Sequence, residues 1–268
     1  MPRCLSPLRK PWCKRLPPGR KNVLQRLVYG LQPVREAIRA HGARLACVYV
    51  EQGTSPALRA LERFAIDNGI RVERVGRDAL ERMTSDGRHQ GVAADAPALV
   101  FESVEDLIVS AETLLAIALD EVQDPQNFGA VLRSAVALAG AAVLWGEHGS
   151  APLSPATFRA SAGAIEHARL VRVRSLRGAL TTLTDAGVMV VALDASGTQE
   201  LSEVDLRGPT TLVIGSEGKG LRKGVRAAAS VVAKLPMAGS LDSLNASVAA
   251  ALGLYEAIRQ RREINEKI

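Results

Sequence analysis

From residue 27 onward, short apolar runs alternate with stretches of helical periodicity. Leu45–Val50 (LACVYV), Arg71–Val75 and Gly91–Ala94 have the length and patterning of strands. Pro33 suits the first turn of a helix running through Arg39, with Val34, Ala37 and Ile38 on one face. Ala57–Asp67 reads as a second helix ending near Gly69, and Asp78–Met83 as a shorter helical patch. Together these form a small α/β unit of about 70 residues, near the lower limit for burying a core alone. Residues 95–112 (DAPALVFESVEDLIVSAE) read as a connector with one short amphipathic segment.

A second unit opens at Leu114–Leu119 (LLAIAL), a strand with no polar side. Further strands are expected at Ala141–Leu144, Leu170–Val173, Val188–Leu193, Thr211–Ile214 and Val231–Leu235. Helices fit at Asn127–Ala139, Ser175–Ala186, Gly220–Ala229 and Ser243–Arg262. Apolar strands alternating with helices predict an α/β fold whose largely parallel sheet is covered on both faces. In such sheets ligands gather at the loops that leave the carboxyl ends of the strands. No internal repeat is present.

Charge changes the picture at one end only. Residues 1–26 hold eight basic side chains, five prolines and no acidic residue, and show neither helical nor strand periodicity. They read as a disordered tail. The rest of the chain carries 26 basic against 28 acidic residues, so the formal charge of +6 belongs to the tail. A basic arm suits a polyanion, most simply nucleic acid, but equally a solvated extension. No apolar stretch reaches the roughly 20 residues of a membrane-spanning helix, and the N-terminus lacks the apolar run of a secretory signal. Three cysteines without a C-x-x-C pair, and only four histidines, argue against a disulfide framework or a metal site. The expectation is a soluble, cytoplasmic protein with neither membrane nor metal.

Three loops carry chemistry, each where an expected strand ends. The first is Asp120–Ala135 (DEVQDPQNFGAVLRSA). Here Asn127 reads as a helix cap, while Arg133 interrupts an apolar run, and a buried Arg needs an anionic partner. The second is Leu212–Leu221 (LVIGSEGKGL), three glycines around Glu217 with neither P-loop nor Rossmann spacing. It reads either as a tight turn with a solvent-facing Glu or as a ligand cradle. The third is Leu235–Ala251, where Ser243, Asn245 and Ser247 open a helix of small residues. One cap explains only one of those three polar groups.

In order and with fitting separation, these loops resemble motifs 1, 2 and 3 of the SpoU (TrmH) branch of the SPOUT methyltransferases. Upstream, Leu27–Ala37 (LVYGLQPVREA) and Arg88–Ala93 (RHQGVA) resemble the start and end of the L30e-like domain of the family's bacterial 23S rRNA (guanosine-2′-O-)-methyltransferases. The resemblance covers residues 27–262. It implies a tail over 1–26, an L30e-like RNA-binding domain over 27–97, a linker over 98–112 and a trefoil-knotted methyltransferase domain over 113–268. It further implies S-adenosylmethionine as cofactor, bound around Ile214, Gly215, Leu235, Met237 and Leu244 with Leu193–Gly197 nearby. The implied catalytic set is Asn127, Arg133, Glu217, Ser243 and Asn245, acting on the ribose of a guanosine in the peptidyl-transferase region of 23S rRNA.

Nine aromatic residues are too few for an RNA surface built on base stacking. Residues 27–97 instead carry ten arginines and no lysine, which suits phosphate contacts and equally a solvated Arg/Glu surface. Alternatives are a tRNA methyltransferase of the same family, against which the L30e-like domain argues, and a non-catalytic rRNA assembly factor. The small-residue patch Ala246, Ala249, Ala250, Ala251 and Gly253 reads as a homodimer contact, which the resemblance also implies, so Ala250→Arg is expected to weaken self-association.

Overall fold

The computed structural model describes residues 25–53, 55–85, 88–239 and 243–265. Most of the expected basic tail, residues 1–24, therefore lies outside the described residues. The first unit runs β1 (Gln25–Tyr29), α1 (Leu31–His41), β2 (Cys47–Glu51), α2 (Pro56–Asp67), β3 (Val72–Val75), α3 (Arg77–Thr84) and β4 (Val92–Pro97). Its sheet has the order β1-β4-β2-β3, with β4 antiparallel to both neighbours and β2 parallel to β3. Strand β1 is not evident in the sequence pattern, and it begins inside the expected tail. It exists because Gln25–Tyr29 pairs residue for residue with Pro97–Ala93. Val34, Ala37 and Ile38 are buried as the helical pattern predicts, packing with Val48, Val50, Leu58 and Leu61.

The connector holds α4 (Val104–Val109), stopped at its start by a capping box in which Ser103 and Asp106 bond each other's backbone N–H. The second unit follows as β5 (Leu115–Leu119), α5 (Pro125–Ser134), β6 (Ala142–Gly146), α6 (Pro155–Ala160), β7 (Arg169–Val173), α7 (Leu176–Asp185), β8 (Met189–Leu193), β9 (Gln199–Glu200), β10 (Thr210–Ile214), α8 (Lys223–Arg226), β11 (Val231–Lys234) and α9 (Ala246–Asn265). Seven strands form one sheet in the order β7-β6-β5-β10-β8-β11-β9, and every pairing is parallel. Helix α6 and the two-residue β9 are additions to the expected elements. Helix α8 is four residues long, shorter than the run expected over Gly220–Ala229.

Strand periodicity divides the core cleanly. Leu115, Ile117, Leu119, Leu212 and Ile214 face one layer with Phe128, Leu132 and Leu254. Ala116, Ala118, Val190 and Val213 face the other, with Leu107, Leu180 and Leu183. Both faces are covered, as near-continuous apolar strands require. Helix α9 begins at Ala246 and not Ser243, and its small residues Ala246, Ala250 and Gly253 point inward. Ala250 is fully buried, and a side chain at Gly253 would meet Leu193 and Leu212 at 3.1 Å. The reading of this patch as a dimer contact is thus corrected for Ala246, Ala250 and Gly253, which the chain's own sheet covers, while Ala249 and Ala251 are half-buried.

Candidate active site

The carboxyl ends of β8 and β10 and the segment after β11 enclose a cavity of about 730 Å³. Its floor follows from β10, whose five residues are all buried and whose last, Ile214, leads straight into a glycine-rich turn. Ser216 and Gly220 exchange backbone hydrogen bonds, 2.9 Å from Gly220 N to Ser216 O and 3.2 Å in the reverse sense. That closure brings Gly220 against Gly215 so tightly that a Cβ at 215 would lie 2.5 Å from Gly220 O and 2.7 Å from Leu221 N. Only glycine fits there.

An ion pair between a buried carboxylate and a half-exposed guanidinium holds this turn to the neighbouring strand. Asp120, fully buried after β5, accepts from Arg222 N and Arg222 Nε, each at 2.8 Å, while Asp120 N donates to Ile214 O at 2.8 Å. A buried carboxylate is tolerated because the guanidinium and a backbone N–H satisfy it.

Asn127 does not cap α5. Asp124 does, its carboxylate accepting from Gln126 N, with Pro125 at the first helical position. Asn127 sits one turn further in, 8% exposed, and aims its amide across to the glycine turn. Its Nδ2 donates to Glu217 Oε1 at 2.9 Å, and its Oδ1 accepts from Asn245 Nδ2 at 2.9 Å. Asn245 Nδ2 also donates to Glu217 Oε1. Asn245 is at the same time the cap of α9, its Oδ1 accepting from Ser247 N at 2.9 Å and Ser247 Oγ at 2.6 Å. One residue from each of the three loops therefore meets at a single carboxylate. Helix α5 can lie this close because Gly129 packs against α6: a Cβ there would lie 2.8 Å from both Ser161 N and Thr157 O.

The cavity collects Ile214, Gly215, Glu217, Leu235, Met237, Ser243, Leu244 and Asn245. Ser243 is exposed on its wall. Gly197 is not among the lining residues. It serves instead where the chain crosses β11, a Cβ there falling 2.7 Å from Ala233 C. Arg133 is also outside this network. The expectation that it is buried is corrected: it is exposed, because the buried face of α5 runs through Asn127, Phe128, Gly129, Val131 and Leu132 and leaves position 133 outside it.

Asp194 follows β8 and lines the cavity, within the Leu193–Gly197 stretch that the resemblance sets near the cofactor, though no residue pattern singled it out. The Ser196 hydroxyl bonding its Oδ1 at 2.6 Å holds its carboxyl below the usual range, against a smaller opposing effect of burial. Its place after the expected strand Val188–Leu193 was the available signal. Among the described residues no group of three His, Cys, Asp or Glu is placed to hold a metal ion, and no helix is long and apolar enough to cross a membrane.

Residues 114–255 match the SpoU rRNA Methylase family, and residues 27–100 match the RNA 2′-O ribose methyltransferase substrate binding domain. An uncharacterized tRNA/rRNA methyltransferase of Mycolicibacterium smegmatis is 41% identical over 250 residues, covering 91% of this chain and 79% of that protein. The crystal structure of the SpoU methyltransferase AviRb from Streptomyces viridochromogenes, in complex with the cofactor AdoMet, superimposes with a TM-score of 0.72 at 29% identity over 89% of this chain and 91% of that one. The A. aeolicus TrmH/SpoU tRNA modifying enzyme aligns with a TM-score of 0.51 at 28% identity, covering 84% of its own chain but 60% of this one, a span too short to include both units. With its parallel sheet, its three converging loops and these matches, the chain belongs to the SpoU methylase family of tRNA/rRNA methyltransferases.

Proposed function

We propose that this chain transfers a methyl group from S-adenosylmethionine to the 2′-hydroxyl of a guanosine ribose in 23S rRNA. The observation that carries the reading is the convergence of Asn127, Glu217 and Asn245 beside a cavity large enough for the cofactor. The cavity's walls suit that molecule: Leu193, Ile214, Leu235 and Leu244 offer apolar surface for an adenine ring, and Asp194 offers an acceptor for hydroxyl or ammonium groups. Glycines at 215, 218 and 220 leave backbone exposed to the ligand. When bound, the cofactor supplies an electrophilic sulfonium methyl.

The chain's own residues align the ribose and manage its proton. Glu217, oriented by two amide donors, accepts a hydrogen bond from the incoming hydroxyl and assists loss of its proton. Asn127 and Asn245 hold that carboxylate in place, and Ser243 on the cavity wall contacts the substrate. Arg133, exposed on α5, offers a planar fork to the RNA phosphate next to the target ribose, which lowers the hydroxyl's pKa electrostatically. The knotted domain that the resemblance implies is supported by Leu235 and Met237 after β11, and Ser243 to Asn245 before α9, lining the cavity together with Leu193 and Ile214.

The substrate-binding match over residues 27–100 supports rRNA over tRNA, because the tRNA-modifying neighbour aligns over too little of this chain to include both units. A cytoplasmic homodimer completes the reading. Val248, Leu252 and Tyr255 recur at helical spacing on α9 and are 45%, 43% and 58% exposed, an apolar stripe suited to a second copy. The test is mapping of 2′-O-methyl positions in 23S rRNA and tRNA treated with wild type or Arg133→Lys. Wild type is expected to modify one guanosine of 23S rRNA, and the variant, which keeps charge but loses the fork, to lose at least 100-fold in turnover with RNA affinity within about threefold. Modification of tRNA alone would overturn the substrate assignment.

A further inference from the structure

The two units meet along a salt-bridged seam on one side of the parallel sheet. Arg26 and His41 of the small unit both bond the Glu166 carboxylate, and His167 Nε2 lies 3.0 Å from Glu36 Oε2. The neighbouring Ile165 packs in the layer of Phe128 and Leu132, so the small unit sits on the α5 side of the sheet. Helices α7 and α8 cover the opposite side, where Leu176, Leu180 and Val225 pack with Ala118, Val190 and Val213.

Basic residues on that opposite side fall into two sets. Arg222 is committed to Asp120 and Glu121, and Arg226 to Asp194 and the Ser196 hydroxyl. These pairs neutralise the acids that follow β5 and β8. Arg174, Arg177, Lys219 and Lys223 form the other set. All four are exposed, and among the described residues none has an ion-pair or hydrogen-bond partner for its side chain. They make one row. Lys219 lies in the glycine turn beside Glu217, on the cavity wall. Lys223 opens α8 four positions later. Arg177 of α7 reaches across to α8: a Cβ on Gly224 would sit 3.5 Å from its Cδ and 4.0 Å from its Nη1. Arg174 ends the row, directly after β7 and three positions before Arg177. Glu147 is an acid beside this end, its N–H donating to Val173 O at 2.9 Å, and it forms no ion pair with Arg174 among the described residues. Unpaired cations on one surface repel one another, and a polyanion relieves that repulsion.

We infer that this row is a track for the RNA backbone on the far side of the sheet from the small unit, so that the RNA straddles the Glu217 turn. The inference rests on the proposed RNA methyltransferase reading and adds to it the path by which the strand leaves the site. The row starts in the turn that carries Glu217, so a ribose held there directs its neighbouring phosphates towards Lys219 and Lys223. Contacts of this kind fix the position of the backbone and carry affinity without reading sequence. Continuity with the cavity favours RNA over an acidic protein segment, since whatever meets Lys219 also borders the reacting ribose.

The test is binding of the full chain to in vitro transcribed 23S rRNA across a salt series. The proteins are wild type, the double variant Arg174→Gln with Arg177→Gln, the single variant Lys223→Gln, and a charge-keeping control, Arg174→Lys with Arg177→Lys. All three positions are exposed, and none lines the cavity. The double Gln variant is expected to bind about tenfold more weakly at moderate salt and to lower the slope of log affinity against log salt by about 2. Lys223→Gln is expected to lower that slope by about 1, and the Lys control to keep it. The KM for RNA rises with the loss of affinity, while kcat and affinity for S-adenosylmethionine hold. Unchanged affinity and slope in the double Gln variant would overturn the proposal, and so would an equal loss in the Lys control. If the double Gln variant melts early, Lys223→Gln decides alone. Unchanged binding to bare 23S rRNA, with methylation lost only on ribosomal particles, would mark an acidic protein as the partner and overturn the RNA assignment. A wild type that binds S-adenosylmethionine but methylates no RNA would instead refute the functional reading, and is seen without any variant.

Discussion

Gly215→Ala is the sharpest probe of the cofactor turn. The new Cβ would lie 2.5 Å from Gly220 O and 2.7 Å from Leu221 N, and both are backbone atoms that cannot swing aside. Relief requires the Ser216–Gly220 turn to open, which breaks the 2.9 Å and 3.2 Å bonds that close it. Two such bonds are worth roughly 1 kcal/mol each, and overpacking adds strain on the same scale, for a total of about 2–3 kcal/mol. If the closed turn is the form that binds S-adenosylmethionine, its dissociation constant rises about 30- to 150-fold. Titration calorimetry of wild type and variant reads this directly. Gly218→Ala is the control. Nothing lies within 4 Å of its Cβ, though its φ of 80° strains an alanine, so a loss of only about fivefold is expected. A Gly215→Ala protein that binds within threefold of wild type would refute the argument that the tight turn shapes the pocket.

Three further outcomes are expected. Asp120→Asn weakens the ion pair with Arg222 and lowers stability by about 2 kcal/mol, discounted because Arg222 is half exposed, so thermal unfolding should show it together with weaker cofactor binding. At Glu166, burial alone would raise the carboxyl, but hydrogen bonds from His41 and Arg26 outweigh it and hold it below its ordinary 4.5. Its contribution is therefore full above pH 4.5 and lost as pH falls through the lower folded value, so wild type should lose melting temperature below pH 4.5 more steeply than Glu166→Gln, and equal slopes would show the seam to be inert. Leu252→Glu, on the exposed stripe of α9, is expected to shift sedimentation at micromolar concentration from dimer towards the 28.4 kDa monomer without lowering thermal stability at low concentration.

Much of the fold is legible because strand and helix periods are local properties. The run LLAIAL can satisfy no surface and must be a central strand, and β5, β8 and β10 occupy the middle of the sheet accordingly. The expected cap of α5, Asn127, is the wrong residue, although the local signal for the right one is present. Pro125 marks the first helical position, so the residue before it, Asp124, is the cap, and Asn127 is released for other work. The exposure of Arg133 was not legible, since an apolar run does not say which of its positions an adjacent sheet will cover.

The same holds for Ala250 and Gly253, whose small side chains promise close contact without naming the partner. Only the packed molecule shows that partner to be the chain's own sheet rather than a second copy. Likewise β1 forms only through its pairing with β4, some 70 positions away. The centre itself depends on contacts of the longest range, Asn127 to Glu217 across 90 residues and Asn245 to Asn127 across 118. Each of these side chains satisfies its local rules equally well as a cap, a turn or a solvated carboxylate. The strand order that sets β5 beside β10 decides that they meet, because no period in the chain records which strands become neighbours.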